Sequence, residues 1–126
     1  MRFLIVDPSR DLRGAVAGML RARWPAAAIE EWDPHERGNP EAALKQASYA
    51  AVLMYVEPAA SDALAWMAVM LRDPAAPPVI LLTESGGENL ALQGLGCKVE
   101  WREYAMPHAV CGEEIADIAA WLRAVL

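Results

Sequence analysis

No apolar run in the chain approaches the roughly 20 residues that a bilayer-spanning helix needs; the longest are short and interrupted. A helical membrane anchor is therefore not expected. Cysteine is scarce: Cys97 and Cys111 are too few for a disulfide framework, and no set of cysteines and histidines sits at zinc-ligand spacing. Both are expected as reduced thiols. The two histidines, His35 and His108, lie in separate polar stretches. A His108/Cys111 pair lacks an orienting third group, so thiol catalysis is not expected there. Positive charge is also short. Eleven Lys and Arg face 17 Asp and Glu, for a net charge of −6. That balance opposes the counterion-release attraction behind most nucleic-acid affinity, which excludes direct DNA or RNA binding as the expected function. Ser85-Gly86-Gly87 has neither the lysine nor the spacing of a phosphate-cradling P-loop.

What remains is apolar and of single-domain size. The chain has 126 residues, 56% hydrophobic and 22% charged, with mean hydropathy +0.16. Disorder is excluded as the main state, and one domain spanning 1–126 with a well-buried core is expected. The first residues, Met1 to Asp7, carry a brief apolar stretch that meets an acid, unlike the longer apolar region of a secretory signal. The expected location is the cytoplasm.

Periodicity places the elements. Arg2 to Val6 is a short, branched run typical of a strand buried on both faces. Ser9 is placed to cap a helix whose Leu12, Val16, Met19 and Leu20 share one face, ended by Trp24-Pro25. Ala28 to Trp32 alternates weakly and predicts a more exposed second strand ending at Asp33-Pro34. His35 to Pro40 is expected as a polar loop, with Pro40 opening a short helix through Gln46. Ala51 to Val56 is a second doubly buried strand, expected at the sheet's centre and stopped by Glu57-Pro58. Ser61 or Asp62 would cap a helix to about Arg72. Val79 to Thr83 predicts a fourth strand, Glu88 to Leu95 a short helix closed by Gly96, and Cys97 to Trp101 a fifth strand. After Gly112, the spacing of Ile115, Ile118, Leu122 and Val125 marks a last amphipathic helix.

Five strands alternating with five helices predict a doubly wound α/β fold, a flavodoxin-like five-stranded parallel sheet of order 2-1-3-4-5. Any site is then expected at the carboxyl ends of the strands: Asp7-Pro8, Tyr55 to Pro58 and Thr83-Glu84.

Across essentially its whole length the chain resembles a response-regulator receiver domain, the phosphoryl-accepting module of bacterial two-component signalling. The resemblance rests on Phe3-Leu4-Ile5-Val6-Asp7 as the first strand and its acidic end, and on Val52 to Pro58 with Asp62-Ala63-Leu64 as the phosphoacceptor strand and loop. Pro78 to Thr83 resembles the strand that ends in the switch hydroxyl, and Gly96-Cys97 followed by Glu103 the approach to the family's lysine.

The chemistry departs from that pattern. Where receivers carry two adjacent carboxylates for a divalent cation, this chain has Asp7-Pro8, and proline supplies no side-chain oxygen. Tyr55 stands where the resemblance implies the phosphoacceptor aspartate, and a phenol cannot form an acyl phosphate from a phosphohistidine donor. Glu103, or less well Arg102, falls at the lysine position, and a glutamate there repels a phosphoryl group. Thr83 keeps the switch hydroxyl, and the aromatic switch position falls at Glu100 or Trp101. The expected site is thus a degenerate pocket of Asp7, Pro8, Tyr55, Thr83 and Glu103. No metal or cofactor is expected; Asp7 and Glu57, with Glu84 as a third acid, are weak candidates for a cation site against the plain reading of solvated loop charges.

Five tryptophans are many for this length. Trp66 lies on a line with Asp62 and Met70 beside the Leu64, Met67 and Leu71 stripe, and Trp121 lies beside its own helix's stripe. Either the buried face is broad enough to take them, or they face partners. The resemblance implies a dimer or partner surface on the fourth-helix, fifth-strand and fifth-helix face, with Trp101 and Trp121 as its residues. The expected function is a non-phosphorylatable receiver-like signalling domain, not an enzyme, acting as a protein-interaction or dimerisation module. Two architectures stay open, a stand-alone domain or the N-terminal regulatory segment of a longer protein, and the apolar end Trp121 to Leu126, without a polar tail, slightly favours the second. Two alternatives stand beside the expected function: a small-ligand sensor using Tyr55, Thr83 and Glu103, and an orthodox phosphorylated regulator with Asp62 as acceptor.

Overall fold

A computed structural model of the chain describes residues 1–38, 40–46, 48–55, 73, 75–82 and 112–126. In order these form β1 (Arg2–Val6), α1 (Arg10–Arg23), β2 (Ala28–Trp32), α2 (Pro34–Arg37), α3 (Glu41–Gln46), β3 (Ala51–Tyr55), β4 (Val79–Leu82) and α4 (Gly112–Val125). The four strands make one parallel sheet in the order β2-β1-β3-β4. The expected fifth strand over 97–101 and the helices over 61–72 and 88–95 lie outside the described residues.

Side-chain alternation along β1 and β3 divides the core into two layers. Phe3, Ile5, Ala51 and Leu53 face one side, where Val16, Ala17, Met19 and Leu20 of α1 and Ile118 and Leu122 of α4 cover them. Leu4, Val6, Val52 and Met54 face the other, packing with Trp32 and Tyr49 and against Ala43 and Leu44 of α3. Helices on both faces explain why β1 and β3 read as continuous apolar runs: apart from Arg2 and Tyr55 at their ends, every residue of both strands is buried. β2, which pairs with β1 alone among the described strands and is less buried, keeps the weaker alternation of Ala28-Ile29-Glu30-Glu31-Trp32.

Local chemistry fixes the helix ends. The Ser9 side chain accepts from Leu12 N–H at 3.3 Å and starts α1. At its other end the Trp24 N–H donates to the Leu20 carbonyl at 2.8 Å, and the Trp24 ring meets Phe3 at 5.5 Å between centroids.

One local expectation is corrected. Residues 35–40 are not a continuous polar loop, because Pro34–Arg37 make a helical turn. Asp33 caps it by accepting from His35 N–H at 2.9 Å, Pro34 supplies the preset φ at its first position, and Gly38 leaves it at φ 71°, where a Cβ would be strained. The Asp33-Pro34 pair that ends β2 thus also starts a helix. Among the described residues no helix is long and apolar enough to cross a membrane.

Candidate functional site at the strand ends

The order β2-β1-β3 means that the chain leaves β1 in one direction and, after β2, returns across it to β3. β1 and β3 are therefore neighbours at the point where the winding reverses, and the crevice beyond their carboxyl ends is where open α/β sheets place ligands. Val6 pairs with Met54, so the next residues, Asp7 and Tyr55, stand side by side as the strands end.

Asp7 is 3% exposed and engaged on several sides. Its N–H donates to the Trp32 carbonyl at 3.1 Å, extending the β1–β2 ladder by one step. Its Oδ1 accepts from Ser9 N–H at 2.7 Å, an Asx turn that steers the chain through Pro8 into α1. Its carbonyl accepts from Arg13 Nη1 at 2.6 Å.

Arg13 is the residue that sequence reasoning missed. Its side chain is 13% exposed and reaches from the start of α1 over the ends of β1 and β2. Nε is buried 3.6 Å from Glu31 Oε1, just outside hydrogen-bond reach, and Nη1 lies 4.0 Å from Asp33 Oδ2. One guanidinium thus bridges a main-chain carbonyl and two carboxylates. A signal was present: a cation in the first turns of a helix opposes the helix dipole, so an arginine placed there needs a specific anionic partner.

Of the expected pocket, Asp7, Pro8 and Tyr55 are brought together at the switch point, with Pro8 and Tyr55 half-buried. Thr83 and Glu103 lie outside the described residues, as do Glu57, Glu84, Asp62, Trp66 and Trp101. Trp121 is described: it is half-buried and packs against the α1 and α4 core layer. Among the described residues no three His, Cys, Asp or Glu side chains are grouped to hold a metal ion.

A second polar constellation sits on the opposite layer, beside β2. Tyr49, 8% exposed, donates its hydroxyl to Glu30 Oε2. Burial first, then this bond to a carboxylate and its negative charge, push the phenol up to about 12. Trp32 Nε1 donates to the Gly38 carbonyl at 2.8 Å, fastening α2 to the sheet, and the Arg37 guanidinium lies 3.6 Å from the Trp32 ring centroid.

No family model, no curated protein and no solved structure matches the chain.

Proposed function

We propose that the chain is a receiver-like signalling module whose strand-end pocket does not take a phosphoryl group at the position the resemblance implies. The observation that carries this reading is the placement of Asp7 beside Tyr55, one step past the Val6–Met54 pair, at the switch point of a parallel sheet ordered 2-1-3-4. An open acidic pocket needs oxygen ligands there. This chain supplies instead one carboxylate that already accepts a main-chain N–H, a proline and a phenol. The guanidinium of Arg13, pinned under Asp7, meets Glu31 and Asp33 from within the protein.

Helices on both sheet faces support the finer reading of a five-stranded flavodoxin-like fold, with residues 97–101 as the edge strand beyond β4. In that reading the module works in the cytoplasm by holding a protein partner or a second copy, and an equilibrium between two packings replaces phosphorylation as the input. Incubation with acetyl phosphate and Mg²⁺ followed by intact-mass analysis tests it. The expected result is an unmodified chain. A hydroxylamine-labile phosphoryl adduct, mapped to Asp62 or to any other carboxylate, would overturn it.

A further inference from the structure

β2 is one of the two outer strands of the described sheet, and among the described residues only half of its main chain is used in pairing. Ala28 N–H donates to the Met1 carbonyl at 2.9 Å, and the Trp32 carbonyl accepts from Asp7. With the register Arg2↔Ala28 to Val6↔Trp32, the main-chain groups of Ala28, Glu30 and Trp32 therefore face β1. Those of Ile29 and Glu31 point the other way, and among the described residues no strand pairs with them.

Beside this edge, between β2 and α3, runs an open groove of about 640 Å³. Its charge is opposite to that of the chain. The charged residues among those that line it are Arg2, Arg37 and a single acid, Glu30, whose carboxylate already accepts from Tyr49. Among the described residues no carboxylate lies within ion-pair distance of either arginine. Each lies over a ring instead, Arg2 at 5.9 Å from the Tyr49 centroid and Arg37 at 3.6 Å from that of Trp32. A ring covers one face of a guanidinium and leaves its in-plane N–H donors for a carboxylate.

We infer that the β2 edge and this groove form a docking site for an extended acidic segment of a partner protein, which adds to the sheet at Ile29 and Glu31 and sets its carboxylates against Arg2 and Arg37. Arg2 pairs with the first residue of β2 and Arg37 lies over the ring of its last, Trp32, so the two cations mark the ends of a five-residue rung. Such a rung is about 13 Å long, which matches carboxylates four residues apart on one strand face. An open groove suits a peptide, whose affinity comes from main-chain bonds, better than a small molecule, which needs enclosure. A second copy of this chain is a poor occupant, because β2 against β2 would bring Glu30 and Glu31 of both copies together. The site does not depend on what occupies the strand-end pocket, so its failure would leave the reading of that pocket untouched.

Fluorescence anisotropy with a labelled Glu-Val-Glu-Val-Glu-Val peptide on the full chain tests the site. Saturable binding is expected, weakened about ten-fold or more by Arg37→Glu and by Arg2→Glu, and equally by N-methylation of alternate peptide amides. A Lys-Val-Lys-Val-Lys-Val probe is expected not to bind. Circular dichroism confirms that the variants fold, with Arg37→Gln and Arg2→Gln in reserve, for which a smaller loss is expected. The inference is overturned by absent binding, by equal binding of the basic probe, or by indifference to the arginine substitutions or to N-methylation. It is equally overturned by self-association that Arg37→Glu abolishes and the peptide does not compete.

Discussion

The Arg13 guanidinium lies under the main-chain carbonyl of Asp7, donating to it at 2.6 Å, and so ties the start of α1 to the end of β1. The same group faces Glu31 and Asp33 at the end of β2. Three successive segments of the chain therefore meet on one cation, at the place where a parallel sheet of this winding opens toward a ligand.

Replacing Arg13 by Met leaves that carbonyl and the carboxylates without their shared cation. Hydrogen bonds from charged donors and partly buried ion pairs are of this size, and a loss of about 2 kcal/mol is expected in urea unfolding. Arg13→Lys is expected to recover only part of it, since one ammonium cannot span the same partners. Equal stability of R13M and the parent would show that these contacts do not hold the strand ends together.

Leu122 of α4 is fully buried against Phe3, Ile5 and the α1 residues. Leu122→Ala is expected to cost about 3 kcal/mol, and Leu53→Ala in β3 a similar amount. Val125, 42% exposed on the same helix, is expected to tolerate Ala with little change. Thermal or urea unfolding of the three variants checks whether α4 is part of the core layer.

Ser9→Ala removes the oxygen that accepts from Leu12 N–H and is expected to cost about 1 kcal/mol, whereas Ser9→Asp keeps an acceptor at the cap and is expected to cost little. If the two substitutions destabilise alike, the cap is not what starts α1.

Much of this local structure is legible in the residues themselves. The bounds of β1 and β2 follow from runs of suitable length between turn signals, and Ser9 and Trp24-Pro25 bracket α1. The two-sided burial of β1 and β3 follows from their unbroken apolar character. The turn at Pro34–Arg37 was hidden because a proline and three polar residues carry no apolar period, although Asp33, Pro34 and Glu36 stand in the order of a helix start. At the strand ends, Asp7, Pro8 and Tyr55 are legible because strand termini in a parallel sheet converge. The partners of Arg13, and the bond from Tyr49 to Glu30 across 19 residues of chain, depend on tertiary approach and leave no mark in a local window.

Tyr49 gives the fold a pH dependence with a defined sign. Its folded value of about 12 exceeds the ordinary phenol value of 10.0, so the folded state holds the proton more tightly than the unfolded chain. The stability this contributes is fully present below pH 10 and is lost as pH rises from about 10 to 12. Tyr49→Phe is expected to cost about 1 kcal/mol at neutral pH through the lost bond to Glu30, and to flatten the alkaline slope. Urea midpoints of parent and variant across that range check both effects. An identical alkaline slope in the two proteins would contradict the assignment.

In the reading proposed above, the crevice beyond β1 and β3 does not support the phosphoryl chemistry of the family the chain resembles. Titrating the ¹⁵N-labelled chain with Mg²⁺ and beryllofluoride, which together mimic a bound phosphoryl group, tests it most directly. No change is predicted at the amides of Asp7, Ser9 and Tyr55. Saturable shifts at those amides that require both Mg²⁺ and beryllofluoride would contradict the account.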